Sequence, residues 1–193
     1  MNTTTFRDRL PPLPLERMDD AQRAAADELI AGPRKGVKGP FIPLLRSPEL
    51  LARVQKVGEY LRFQSALSPR VSEFATLIVS RAWTQHFEWH VHAPLALKAG
   101  TSAAAIDALR EGRRPSDMSD EEACVHDYAS ELLQHHGVSE PTYAAAEARF
   151  GKSAVVELGA LIGYFTMVCW IMNVAHTPVD GGEGEPGLRP FPL

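Results

Sequence analysis

Cysteine is nearly absent from this chain: Cys124 and Cys169 stand alone in 193 residues and form no CxxC pair. Neither a disulfide framework nor a thiol redox motif is therefore expected. Strong charge of one sign is missing as well. The net charge is −4, and the lysines and arginines form no block. Phosphate binding needs clustered cations, so nucleic acid is not an expected partner. The opening MNTTTFRDRLPPLPLERMDD has no apolar core of the secretory type; the expectation is a cytoplasmic protein without a secretory signal. No segment shows strand alternation, and no fixed-period repeat suggests a solenoid.

One long apolar run is present, AVVELGALIGYFTMVCWIMNVA at 154–175, with Glu157 and Asn173 near its ends. Its length suits a membrane span. Nothing else in the chain is membrane-like, so a buried helix is the expectation. Hydrophobic residues make up 45% and charged residues 23%, ordinary values for a soluble globular domain.

Helix-start signals punctuate the chain. Asp19 or Asp20 caps a first helix that stops near Gly32. GPRKGVKGPFIP is too rich in Gly and Pro for regular structure. Ser47-Pro48 and Ser68-Pro69 each pair an N-cap with a first-turn proline. Ser102 opens a short helix, Ser119 to Glu122 is a capping box, and Ser139 opens another helix that ends near Phe150. The apolar helix then runs from about 153 to 175, and Gly100 is a stop signal. The fold class is all-α. Residues 1–18 form an extended arm, 19–176 a single helical domain and 177–193 a loop tail.

The chemistry concentrates in SRAWTQHFEWHVHAPLALKAG, residues 80–100. At about 100° per residue, Gln85, Glu88 and His92 share one helix face, and His86 and His90 share another. A break near Thr84 could separate this helix from the one before it, and Pro94 could kink it. Glu88 and His92 are spaced i, i+4, so a carboxylate can orient an imidazole and favour its charged form. That is the minimum for acid–base work. An ion pair on a wet helix face is the competing explanation. His86 and His90 have a metal-clamping spacing, but HFEWH is not HExxH and a third ligand is lacking, so no metal is expected. Trp83 and Trp89 would lower the local polarity. Glu73, if buried, would be a second proton carrier. Arg70 and Arg81 could fork onto a substrate carboxylate or pair within the protein.

Glu73, the apolar run behind it, and RAWTQHFEWHVHAPLALKAG ending at Gly100 together resemble the carboxymuconolactone decarboxylase family. That family shares its fold with the alkylhydroperoxidase D proteins. The resemblance covers about residues 48–112, with a looser likeness in the last apolar helix. The Pro-rich arm resembles the family's longer members. The resemblance implies a multi-helix orthogonal bundle that assembles as trimers or hexamers, with sites near subunit contacts. Peroxidase members carry a CxxC seven and four residues before the histidine. Here those positions are Gln85 and Glu88. Dithiol chemistry needs an attacking and a resolving thiol, and neither is present there. The relay positions Glu73, His86 and His92 are retained.

The expectation is a cofactor-free lyase acting on a small carboxylated lactone or related acid. His92, Glu88 and Glu73 would carry the proton transfer, and His86, Arg81 and Trp83 would bind substrate. The alternatives are a peroxidase-related protein without its dithiol, or a non-catalytic helical oligomer that binds a small ligand.

Overall fold

The computed structural model describes residues 7–179 and Leu188. All its regular elements are helical: α1 Asp20–Ala31, α2 Phe41–Leu44, α3 Pro48–Phe63, α4 Pro69–Ala82, α5 His86–Lys98, α6 Ala103–Arg110, α7 Asp120–His135 and α8 Glu140–Ala175, preceded by a 3-10 turn at Leu15–Arg17. Four of the cap signals act as the sequence predicts, while Ser47 and Ser139 stand at helix starts without a side-chain capping bond. Asp19 forms a reciprocal capping box with Gln22, and Ser119 forms one with Glu122. Ser68 accepts from the Val71 amide and Ser102 from the Ala105 amide. Each satisfies an amide that the helix itself leaves unpaired. The Gly/Pro-rich loop departs from expectation only in its last residues, where Phe41–Leu44 close one helical turn.

α4 is the hub. It packs against α5, α6, α7 and α8. Val71, Phe74, Leu77 and Val79 on it are all but fully buried. Each contributes on the order of 1.5–3 kcal/mol of transfer free energy before entropy is counted. α8 contains the apolar run and is interrupted at Gly151, whose φ of 79° and ψ of 163° break the helix. The break falls between the two helices the sequence predicts. By length and composition α8 could cross a membrane, but 56% of its most apolar window is buried inside the fold. Its polar residues have partners. Glu157 accepts from the Tyr60 hydroxyl (2.5 Å) and the Ala66 amide (2.7 Å). Asn173 donates to the Trp83 carbonyl at 2.9 Å.

The described part of the N-terminal arm is pinned. The Arg9 amide and guanidinium donate to the Ala175 and Val174 carbonyls, and Arg46 donates to the Pro11 carbonyl. The first six residues, and the tail at 180–187 and 189–193, lie outside the described residues.

One buried polar network fixes α4 to α7. Glu122 accepts both forks of Arg70, at 3.0 and 2.9 Å, and the Thr101 hydroxyl at 2.8 Å. Its capping bond to the Ser119 amide is 2.8 Å. Arg70 is thus a structural partner rather than a substrate ligand.

Candidate active site

The centre of the site is set by two local breaks. α4 ends at Ala82, and Thr84 takes a left-handed φ of 48°. Gln85 then caps α5, its amide oxygen accepting from the Phe87 and Glu88 amides at 2.6 and 3.3 Å. Its Nε2 donates to Asn173 Oδ1 at 3.0 Å. Gln85 is therefore a latch between the start of α5 and the end of α8. It occupies a spacing at which peroxidases place a thiol, but its work here is structural. Pro94 leaves α5 unbroken.

One turn further along α5, Glu88 and His92 point inward and are nearly fully buried. His92 Nε2 lies 3.1 Å from Glu88 Oε2, and its Nδ1 lies 2.5 Å from Glu73 Oε2 on α4. The pair is thus no wet-face ion pair. Both ring nitrogens face carboxylates, an arrangement that only the imidazolium can satisfy with two donated bonds. Burial alone would push the His92 pKa down. The hydrogen bonds that His92 donates to Glu73 and Glu88 outweigh it and hold the pKa above the usual histidine value. Phe165 of α8 meets the ring edge-on, 5.0 Å away at 84°, and shields it from solvent.

Glu88 and His92 line a half-open cavity of about 270 Å³, just below the size of drug-sized ligand pockets. Phe87, Val91, Phe165 and Val168 supply apolar wall. Arg34, Lys38 and Arg62 put three cations on the same wall, against the single carboxylate of Glu88. The Tyr164 hydroxyl sits beside Arg34, and desolvation raises its pKa, so it remains a phenol. Glu73 opens on the opposite side, into a shallow groove with Ser68, Arg70 and Lys98. The triad Glu73, His92, Glu88 therefore runs from that groove to the cavity.

The sequence singled out three further ligand candidates, and the structure does not bring them to this cavity. Arg81 and Trp83 line a separate pocket with Arg114 and His126. Trp83 stacks edge-on against Trp170 and donates to Thr166. His86 is exposed at the start of α5, its pKa lowered by partial desolvation and by Arg81. The cause is the left-handed turn at Thr84, which aims the end of α4 and the start of α5 away from the inward face of α5. Among the described residues no three His, Cys, Asp or Glu side chains are arranged to hold a metal ion.

Comparison with known proteins adds to this geometry. Residues 48–131 match the profile described as the carboxymuconolactone decarboxylase family. Over these residues the chain is similar to the carboxymuconolactone decarboxylase family. The segment spans α3 to α6 and most of α7, and includes Glu73, Glu88 and His92. The whole chain also resembles a solved structure described as an alkylhydroperoxidase AhpD core, an uncharacterized peroxidase-related protein from Ralstonia eutropha. The TM-score is 0.69 at 15% identity, covering 90% of this chain and 92% of that one. At that identity the likeness establishes the AhpD-like fold alone. No curated protein matches the sequence significantly.

Sequence reasoning missed Arg34, Arg62 and Tyr164. Arg34 lies in the Gly/Pro-rich loop, Arg62 in the last turn of α3 and Tyr164 in the apolar run. Nothing within a few residues of any of them marks a binding site. The only local hint is that GPRKGVKGP carries its cations on a segment held close by glycine.

Proposed function

We propose that this protein is a cofactor-free carboxy-lyase acting on a small carboxylated lactone or related unsaturated acid. The observation that carries this reading is His92, held between Glu88 and Glu73 at the wall of a half-open, cation-lined cavity. In such a reaction the bond between the substrate carbon and its carboxylate breaks. The bonding pair moves through the adjacent double bond to the carbonyl oxygen, and carbon dioxide leaves. The carbanion equivalent then takes one proton from the Glu88–His92 pair. The pair is refilled from solvent through Glu73, whose groove is on the far side. The sum is one carboxylate and one proton in, and one carbon dioxide and one C–H bond out. The apolar wall favours this, because charge leaves the carboxylate as the reaction proceeds.

The peroxidase alternative lacks its nucleophile. Cys169 is fully buried and Cys124 partly so, and desolvation raises the pKa of both thiols. A thiol kept protonated does not attack peroxide. Assembly of several copies belongs to the proposed reading. Exposed Val57 and Tyr60 on α3 and Val156 on α8 support it.

The test is carbon dioxide release from unsaturated γ-lactones carrying a carboxylate, run in deuterated water. One deuterium should appear in the product, at the carbon α to the carbonyl or at the carbon that lost the carboxylate. His92→Ala should lower the rate by about 10²-fold or more. A purified protein that leaves such lactones intact, or a His92→Ala variant with full activity, rules the reading out.

A further inference from the structure

A second half-open pocket lies away from Glu88 and His92. It measures about 350 Å³, inside the range of small-molecule sites, and shares no lining residue with the first cavity. Its lining is of two kinds. Ile78, Ala82 and Trp83 from α4 and its C-terminal end, Leu109 from α6 and Leu133 from α7 are apolar. Trp83 donates its indole N–H to Thr166 at 3.3 Å, so its ring carbons are what it has left to offer. Arg81, Arg113, Arg114, His126, Ser130 and Gln134 supply the polar part, and no aspartate or glutamate lines the pocket.

Local structure sets the polar part. α6 ends at Arg110, Gly112 takes a left-handed φ of 75°, and the Arg113 amide returns to the Ala108 carbonyl at 2.9 Å. This stop sets Arg114 beside α7, where it pairs with Asp127 and meets the His126 ring. Arg114 Nη1 lies 3.0 Å from His126 Nδ1 and can only donate, so that ring nitrogen accepts. The ring proton therefore sits on Nε2, which is a donor. Asp127 Oδ1 is 3.8 Å from Nδ1, too far to hold a proton there. Burial and, after it, Arg114 lower the His126 pKa against the pull of Asp127, which keeps the ring neutral. Glu111 and Asp127 pair with Arg113 and Arg114 from outside the lining. The pocket thus offers cationic and neutral donors over one part and hydrocarbon over the rest, with no carboxylate of its own.

We propose that this pocket is a second binding site, for a small acid with one carboxylate and an apolar, ring-sized body. The carboxylate meets Arg114 and the His126 Nε2–H, and the body lies against Trp83, Leu109 and Leu133. Charge-assisted bonds to the carboxylate and burial of the body act together, so a ligand with only one of the two features binds less well. Inorganic phosphate leaves the apolar lining wet. A neutral apolar molecule makes no use of the arginines. The site is independent of the decarboxylase reading, since neither Glu88 nor His92 takes part in it.

The test is titration calorimetry on the full chain with 3-phenylpropionate, its neutral analogue 3-phenyl-1-propanol, and inorganic phosphate. Wild-type protein should bind 3-phenylpropionate at least about tenfold tighter than either of the others. Arg114→Met should weaken the acid by about fivefold or more and leave the alcohol nearly unchanged; that arginine is half exposed, so the variant should fold. Ser130→Tyr, which fills the pocket from α7, should weaken acid and alcohol alike. If it does not melt cooperatively, Ser130→Leu replaces it. Arg62→Met, on the wall of the first cavity, should bind the acid like wild type. Losses in Arg114→Met and in the Ser130 variant, with Arg62→Met unaffected, uphold the site. Three results overturn it: no binding of the acid by wild type, binding of the alcohol or phosphate as tight as that of the acid, or a loss in Arg62→Met that equals or exceeds the loss in Arg114→Met.

Discussion

Coupling between Glu73 and His92 can be measured whatever the substrate proves to be. The perturbation is a double-mutant cycle of Glu73→Gln and His92→Gln, which isolates their interaction from each residue's separate packing. His92 Nδ1 and Glu73 Oε2 are 2.5 Å apart, with side chains 3% and 16% exposed. A hydrogen bond to a charged group in such a setting contributes about 1.5–3 kcal/mol net. The His92 pKa is raised in the fold. The stabilisation is therefore fully present below the unfolded histidine pKa of about 6.5 and is lost as pH rises through the raised folded value. The assay is urea unfolding of the four proteins from about pH 5.5 to about pH 9.5, read as coupling energy against pH. The coupling should start near 2 kcal/mol and fall to about 1 kcal/mol or less, the residue being the bond a neutral ring still donates. A coupling that is flat with pH, or one that grows as pH rises, refutes the claim that His92 carries the charge between these carboxylates.

Three further outcomes follow from the geometry. Glu122→Ala should cost about 3 kcal/mol in urea unfolding, because it strands Arg70; the value sits at the low end for a buried pair since that arginine stays 34% exposed. A loss under 1 kcal/mol would show that the network adds little. Gly58→Ala places a Cβ 2.2 Å from the Tyr164 hydroxyl. The shift forced on the buried tyrosine costs about 1–3 kcal/mol, set against about 1 kcal/mol gained in helix propensity. Calorimetry should show a lower melting temperature, and an unchanged one would show that the tyrosine shifts without strain. Hydroperoxide turnover with a thiol reductant should stay at background, and Cys124→Ser and Cys169→Ser should leave it there; clear turnover that either variant abolishes would mean that a raised-pKa thiol is reactive after all.

The sequence by itself determined what depends on neighbours within a turn or two. Ser68, Ser102 and Ser119 mark helix starts because a hydroxyl satisfies amides two or three residues on, and the helices begin where they stand. Glu88 and His92 were legible for the same reason, since i, i+4 spacing is a local distance. Glu73 was legible as a candidate proton carrier, but its pairing with His92 was not, because that partner lies on the next helix. The tertiary structure decided the rest. It turned Gln85 into a cap and latch, tied Arg70 to Glu122, and sent Arg81 and Trp83 to a different pocket from His92. It also brought Arg34, Arg62 and Tyr164 together on the cavity wall. No local pattern joins those three. A cavity wall is made wherever packed helices leave space, and the residues that meet there are chosen by helix crossing rather than by distance along the chain.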